Sequence, residues 1–421
     1  MIYDVIVIGG GPSGIFAAIA AKKHGSKVLL IEKNNKLAIK MGISGGGRCN
    51  LTNNSATEKI IENIPGNGRF LYSALNQFSN NDTIVFFEQE LGVKTKVEDN
   101  GRVFPKSDNA STLIEALNKY LINIGVEILY NTEVVELLST NNQIEGVQLS
   151  SGVLTKCNSV ILATGGLSYP NTGSTGDGYR MARHLGHQIT ELFPSSVSLL
   201  SDDQLITERL VQGISLKGVE LTLYNPQGKK VKIENGDIIF THFGISGPAA
   251  LKISRNIYFM QKEYGNDQPF KLSINLFPEK DETELFKMIS DLIANNPKKS
   301  LLNGFQGFLP EKLLKAIFNK NSLFMDKKMV ELNKDDLNYL IAFFKKFTIS
   351  ITGTKLINEA IVTGGGVSLK EINPKTLESK IVKGLFIVGE LLDVDAFTGG
   401  FNMQVAFSTG FVAGKAASLA I

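Results

Sequence analysis

From Tyr3 to Ile8 the chain is apolar. It then breaks at glycines, continues through an alanine-rich stretch from Ser13 to His24, turns at Gly25 and enters a second apolar run, KVLLIE. Short apolar runs bounded by glycine read as buried strands, and the stretch between these two has the length of a helix. The pattern therefore predicts strand, tight turn, helix and strand, a βαβ unit that opens a parallel sheet. Further along, NASTLIEALNKYLINIG has apolar residues at helical spacing and leads into VEILY, a strand that can join the same sheet. The segment TEVVELLSTNNQIEGVQLSSGVLTKCNSVILATGG alternates through three stretches broken by Asn and Gly before a fully apolar run. That predicts an antiparallel meander ahead of another buried parallel strand.

The pattern changes near Thr190. SSVSLL, GVELTLYN, KKVKIENGDIIFTHFG and PFKLSINLF are short alternating stretches with turn residues between them, which predicts a separate β-rich, barrel-like part. KDETELFKMISDLIANNP, FLPEKLLKAIFNK and DDLNYLIAFFKKF then have helical spacing, after which KGLFIVGE is again a buried strand and NMQVAFSTGFVAGKAASLA a small-residue helix. The expected fold is α/β: a Rossmann-like domain with an antiparallel meander, made of 1–189 and 354–421. It is interrupted by an inserted domain over 190–353, barrel-like in its β-rich part (190–278) and helical over 279–346. No internal repeat or low-complexity tract interrupts this reading.

With 421 residues the chain exceeds what a single core usually serves, which predicts two or three domains. A formal charge of +3 gives no strong field, and basic residues cluster only in pairs such as Lys229-Lys230 and Lys298-Lys299, so no nucleic-acid partner is expected. The opening MIYDVIVIGG has no basic leader, and no apolar run approaches the roughly 18 residues a bilayer span needs. A cytoplasmic protein without membrane contact is expected. Only Cys49 and Cys157 are present and neither lies in a C-x-x-C, so neither a disulfide framework nor a cysteine metal cluster is expected.

GGGPSG places Gly9, Gly11 and Gly14 in G-x-G-x-x-G spacing, with Pro12 and Ser13 between. Alone this pattern is weak. Here it follows a predicted strand, opens a predicted helix and has Glu32, then Lys33, at the end of the next strand, which is the context dinucleotide binding requires. Gly9 permits the tight turn, Gly11 a close approach of backbone to the pyrophosphate, and Gly14 close packing of helix on strand. The helix's positive end faces the phosphates, and Glu32 can accept hydrogen bonds from the ribose hydroxyls.

A simple nicotinamide enzyme would continue through alternating strands and helices. This chain instead inserts a meander and closes with a late strand and acid, LFIVGE, followed by DAFTGGFNMQVAFSTG. A flavin dinucleotide fits that arrangement better. Gly389 and Glu390 would meet the ribityl chain, Gly399 and Gly400 would let backbone approach the ring, and a helix starting near Phe401, Asn402 and Met403 would aim its N–H groups at the flavin C2 carbonyl and N1.

These residues, together with KMGISGGGRCNLTN, GRVFPKSDNAS, ATGGLSYPNTGSTGDGY, FTHFGISGPA and INEAIVTGGGV, make the chain resemble the bacterial aminoacetone oxidase-like, NAD(P)/FAD-dependent oxidoreductases, members of the two-dinucleotide-binding-domain flavoproteins. The resemblance runs nearly end to end. It implies an FAD domain built from both chain ends, and it assigns Lys40, Ser44, Arg48, Cys49 and Asn50 to the cofactor. A physical reading stands beside it. Gly45, Gly46 and Gly47 can expose successive N–H groups to an anion. Arg48 pairs with a phosphate or fixes the loop, and Cys49 is a packing residue or a redox thiol. Ala163, Thr164 and Gly165 end a strand where the chain passes the adenine end of FAD or where turn geometry alone requires glycine, and Tyr169, Thr172, Thr175 and Asp177 line the flavin's open side or form a rigid polar loop. His242, from the inserted domain, exchanges protons with substrate or serves its turn structurally.

The expected function is that of an FAD-dependent oxidoreductase moving a hydride between the flavin and a small organic substrate, with NAD(P)H or dioxygen as second substrate. An amine oxidase and a reductase of activated C=C bonds both fit. The alternative is a non-catalytic flavin-binding redox sensor or interaction protein. Oligomeric state is not read from the sequence.

Overall fold

The computed structural model describes residues 2–320 and 327–419, so 321–326 of the helical segment read over 279–346 lie outside it. The chain divides into two compact units, Met1–Ser195 with Ile357–Ile421, and Ser196–Leu356. The pattern break at 189/190 and 353/354 precedes these boundaries by a few residues because strand pairing carries the chain past it. Phe193–Ser196 pairs with Val362–Gly364, and Gly353–Thr354 pairs with Leu199–Leu200.

The first unit is built on a seven-stranded sheet. Glu127–Leu129, Val28–Ile31, Ile2–Ile8 and Leu154–Leu162 run parallel side by side, and the meander strands Gln143–Leu149 and Val134–Thr140 continue antiparallel beyond them. Leu154–Leu162 is where the two arrangements meet. On one edge its first residues pair antiparallel with Gly146–Gln148, while Val160–Leu162 pair parallel with the closing strand Leu385–Ile387. The third stretch of the expected meander and the buried strand expected after it are thus one continuous strand.

The opening helix Pro12–Lys23 is buried at every position from Ser13 to Ala21. A helix buried all round needs cover on two sides: the sheet covers one, and the closing helix Phe401–Leu419 the other. The two helices approach so closely that a Cβ on Gly410 would lie 2.1 Å from the Ser13 carbonyl oxygen, and one on Gly414 2.2 Å from that of Ala17. A small sheet of Thr52–Asn53, Arg102–Pro105 and Thr95–Val97 completes this unit's strands near the site.

The second unit has its own core and its own seven-stranded sheet, whose order begins with Phe347–Ile351 and ends with Gly353–Thr354. Those two end strands are separated in sequence by Thr352 alone, so the sheet curls round on itself in the barrel-like manner expected. Inside the segment read as β-rich lies a 17-residue helix, Pro248–Tyr264. Its sequence does show a helical stripe, with Ala249, Ala250, Ile253, Ile257 and Met260 buried and Pro248 in the first turn.

Candidate functional site

The carboxyl ends of the parallel strands carry the turns that the sequence singled out. At the first, Gly9 has φ +103°, and a Cβ there would lie 2.6 Å from the Ala163 carbonyl oxygen; one on Gly14 would lie 1.8 Å from that of Gly9. Both glycines are demanded by the fold. Gly11 is not. Its φ is −78°, which any residue adopts, and a Cβ would meet no protein atom within 4 Å. Pro12 sits in the helix's first turn, where a missing N–H costs nothing. Ser13 is buried under Gly389, whose Cβ would lie 2.7 Å from the Ser13 hydroxyl oxygen.

Glu32, only 8% exposed, accepts from the Gly10 N–H at 2.7 Å, and from the Asn34 N–H and side-chain amide at 2.8 Å each. Its carboxylate is held ready at the turn with about one acceptor site, on Oε2, still open. Lys33 turns to Thr175 Oγ1 at 2.5 Å and Asp177 Oδ2 at 2.7 Å. Burial alone would raise the Asp177 carboxyl, but the Lys33 ammonium and Thr175 hydroxyl outweigh it and hold it below its ordinary value. Asn34 also donates to the Thr172 carbonyl at 3.3 Å. Thr172, Thr175 and Asp177 are therefore bound to the Glu32–Asn34 turn, while Tyr169 is exposed with a left-handed backbone.

At the end of Leu154–Leu162, the Ala163 N–H donates to the Ile8 carbonyl at 2.9 Å. The Thr164 hydroxyl is buried and has no hydrogen-bond partner in the protein. Gly165 follows with φ +74°, and a Cβ on Gly166 would lie 2.4 Å from Thr363 Oγ1. Thr363 was missed by sequence reading although its TGGG segment was noticed. Its hydroxyl oxygen accepts from the Leu167 and Ser168 N–H groups at 2.8 and 3.1 Å, and its own N–H donates to Glu390 Oε1 at 2.8 Å. Glu390 Oε2 accepts from Lys40 Nζ at 2.8 Å, and the Gly389 N–H donates to Thr409 Oγ1 at 3.0 Å.

The SGGGRCN stretch is a compact left-handed turn, with φ of +57°, +70° and +84° at Gly45, Gly46 and Gly47. A Cβ on Gly46 or Gly47 would meet open space. The Ser44 hydroxyl donates to the Met41 carbonyl at 2.7 Å. Arg48 lies 4.0 Å above the Phe104 ring centroid and bonds Glu98 at 2.9 Å and Asp108 at 3.2 Å, so its charge is spent on the scaffold of this loop. Burial pushes the Cys49 thiol up to about 12 against the smaller, opposing effect of Ser44, which gives a packing residue rather than a thiolate. With its amide assigned the orientation that satisfies both ends, oxygen towards Gly400, Asn50 accepts from the Gly400 N–H at 2.9 Å and donates to the carbonyls of Thr52 and Val103 at 3.0 and 3.2 Å.

The Gly399–Gly400 turn, with φ of +140° and +94°, leads into the closing helix at Phe401. A Cβ on Gly400 would lie 2.3 Å from the Thr52 carbonyl oxygen. Asn402 faces back, accepting from the Ala396 N–H at 3.0 Å and donating to the Ala396 carbonyl at 2.8 Å. Phe401 is buried and Met403 packs on the core, which leaves the leading N–H groups of the helix as the donors this turn presents. His242 lies in the second unit, exposed, with its ring edge-on to Phe243 at 5.0 Å. Among the described residues no cluster of His, Cys, Asp and Glu could hold a metal ion, and no helix is long and apolar enough to cross a membrane.

The open space at Gly11 and the poised Glu32 carboxylate fit a dinucleotide. Comparison with known proteins agrees. The family profile described as the HI0933-like protein Rossmann domain matches residues 3–416. A 3-dehydro-bile acid delta(4,6)-reductase of Clostridium scindens is 31% identical, with 98% of each chain covered. A ribosomal RNA dihydrouridine synthase of Haemophilus influenzae is 30% identical, with 96% of each covered. Among solved structures, the 3-ketosteroid delta1-dehydrogenase of Sterolibacterium denitrificans superposes with a TM-score of 0.56 at 13% identity over 100% of both chains, a likeness of fold.

Proposed function

Because the chain belongs to the HI0933-like family of FAD-dependent Rossmann oxidoreductases, we propose that it is a reductase of a ring C=C bond polarised by a neighbouring carbonyl. The observation that carries this reading is that relatives matching almost the whole chain at about the same identity are named for a delta(4,6)-reductase and for a dihydrouridine synthase. Both names describe hydrogen added across a ring double bond. The amine-oxidase activity suggested by the sequence resemblance has no such support.

FAD, when bound, supplies the hydride chemistry. The protein's residues supply the rest. Glu32, already oriented by Gly10 and Asn34, accepts from a ribose hydroxyl, and the backbone at Gly11 leaves room for the pyrophosphate. Glu390, braced by Lys40 and Thr363, meets the ribityl chain. The leading N–H groups of the Phe401 helix would meet the ring edge, where donors favour the anionic reduced form. NAD(P)H is the proposed electron source; a single fingerprint is present, so it would dock without a dinucleotide domain of its own.

The test is anaerobic. Holoprotein reduced with NADH, NADPH or dithionite is mixed with a cyclic enone, a 3-oxo-diene bile acid, a uridine-containing RNA or an imine. Rapid flavin reoxidation by the enone-type acceptors and none by the imine supports the proposal. Reduction of the oxidised flavin by a primary amine, with enones inert, would overturn it in favour of an oxidase.

A further inference from the structure

Asn50, Thr52 and Asn53 do something that neither the dinucleotide fingerprint nor the reductase reading asks of them. Their backbone is anchored in the small sheet: Thr52 and Asn53 pair with Val103 and Arg102, and the Leu51 N–H donates to the Val103 carbonyl at 2.8 Å. From this base three side chains reach a turn some 350 positions later. Asn50 accepts from the Gly400 N–H at 2.9 Å, Asn53 donates to the Gly399 carbonyl at 3.0 Å, and the Thr52 hydroxyl donates to Gln404 Oε1 at 2.6 Å in the first turn of the closing helix.

The contacts leave little freedom. Thr52 and Gln404 are fully buried and Asn53 is nearly so. Gln404 Oε1 also accepts from Thr83 at 3.0 Å, and its amide nitrogen donates to Ser408 Oγ at 2.9 Å and the Phe78 carbonyl at 3.3 Å, so all of its hydrogen-bonding positions are used. The Thr52 carbonyl sits where a Cβ on Gly400 would be, which seats the turn directly on the strand. Two of the turn's polar backbone groups, the Gly399 carbonyl and the Gly400 N–H, are thereby taken by asparagines, and a third, the Gly400 carbonyl, accepts from the Gln404 N–H at 3.0 Å. What the turn offers outward is the set of leading N–H groups of the helix, and their direction is set by the turn.

We propose that Asn50–Asn53 is a clamp that aims the start of the closing helix, with Asn50, Thr52 and Asn53 as positioning residues for the flavin ring edge. The proposal rests on the reading that the Gly399–Asn402 segment meets that edge. Hydrogen bonds weaken steeply with angle, so a small rotation of the helix start changes how well it supports the reduced ring, even with FAD still held by the fingerprint at the other end.

The experiment uses full-length holoprotein carrying Asn53→Leu or Thr52→Val, and measures the flavin midpoint potential alongside FAD occupancy and thermal unfolding. Thr52→Val exchanges a hydroxyl for a methyl of the same shape and decides the matter if Asn53→Leu does not fold. The expected result is full occupancy with the reduced form disfavoured about tenfold, a fall of ~30 mV for a two-electron couple. An unchanged potential in variants that fold and hold FAD overturns the clamp. Gly399→Ala separates the two layers of the argument, because its φ of +140° and a Cβ 2.7 Å from the Phe401 ring disturb the turn directly. If Gly399→Ala moves the potential while Thr52→Val and Asn53→Leu do not, the clamp falls and the ring placement stands. If Gly399→Ala leaves the potential unchanged as well, the ring placement falls and takes the clamp with it.

Discussion

Lys40 and Glu390, 350 positions apart in the chain, meet with Nζ 2.8 Å from Oε2. Each side chain keeps about a quarter of its surface exposed (25% and 22%), so the pair adds little to fold stability, on the order of 1 kcal/mol or less. Its value lies in orienting Glu390 between Lys40 and the Thr363 N–H. Glu390→Gln keeps the shape and removes the charge. FAD affinity, measured by titrating apoprotein, should fall about tenfold, or about 1.4 kcal/mol, while the unfolding midpoint barely moves. Unchanged affinity would show that Glu390 does not reach the cofactor.

Two glycines of the nucleotide domain should respond in opposite ways. Gly11→Ala meets no protein atom and no backbone strain, so apoprotein stability should stay within about 0.5 kcal/mol while FAD binding is lost or weakened at least about tenfold. Gly410→Ala drives a Cβ into the Ser13 carbonyl and should destabilise the apoprotein by about 1–3 kcal/mol. Denaturant unfolding of both apoproteins, paired with FAD titration, checks this. Equal destabilisation by both substitutions would remove the argument that the space at Gly11 is reserved for a ligand.

His187 should give the fold an acid-sensitive point. Its ring is buried, with Nδ1 3.0 Å from Glu371 Oε2 and Nε2 2.9 Å from Ser379 Oγ. That hydroxyl oxygen already accepts from the Ile381 and Val382 N–H groups, so it donates to Nε2 and places the ring proton on Nδ1, facing Glu371. Burial lowers the His187 pKa below its ordinary 6.5, against the upward pull of Glu371. Between the folded value and 6.5 the unfolded chain therefore binds more protons. Stability should rise with pH across that window, level off above 6.5 and fall as the pH drops below it. His187→Gln should flatten this slope in urea unfolding across the window; an identical slope would assign the pH dependence elsewhere.

Neither thiol should react in the folded protein. Burial pushes both Cys49 and Cys157 up to about 12. At pH 8 their alkylation should be slower than that of a free cysteine by about a thousandfold, and both should label at once in denaturant. Rapid labelling of Cys49 in native protein would restore the redox reading of RCN.

The parts of the fold that follow from periodicity and glycine placement were legible in the sequence: the opening βαβ unit, the parallel strand running into VILATGG and the late strand before Glu390. These depend on local chemistry. The helix Pro248–Tyr264 was overlooked although its apolar spacing is present, because the surrounding turns and alternating stretches set the expectation of strands. At the site, Gly9 and Gly14 could be read because the strand–turn–helix spacing that places them is local. Thr363 and Asn53 could not, because each serves a backbone group brought near only by tertiary folding. Arg48 shows the converse: an arginine beside three glycines suggests a phosphate, but Glu98, Asp108 and Phe104 claim it.

The seating of Gly410 and Gly414 on Ser13 and Ala17 has a consequence for biosynthesis. While the polypeptide is still emerging from the ribosome, the first helix carries a bare apolar flank whose cover is translated only after the inserted unit. The nucleotide domain must therefore wait, partly open, through synthesis of the entire inserted unit, an interval in which a chaperone has a definite surface to guard.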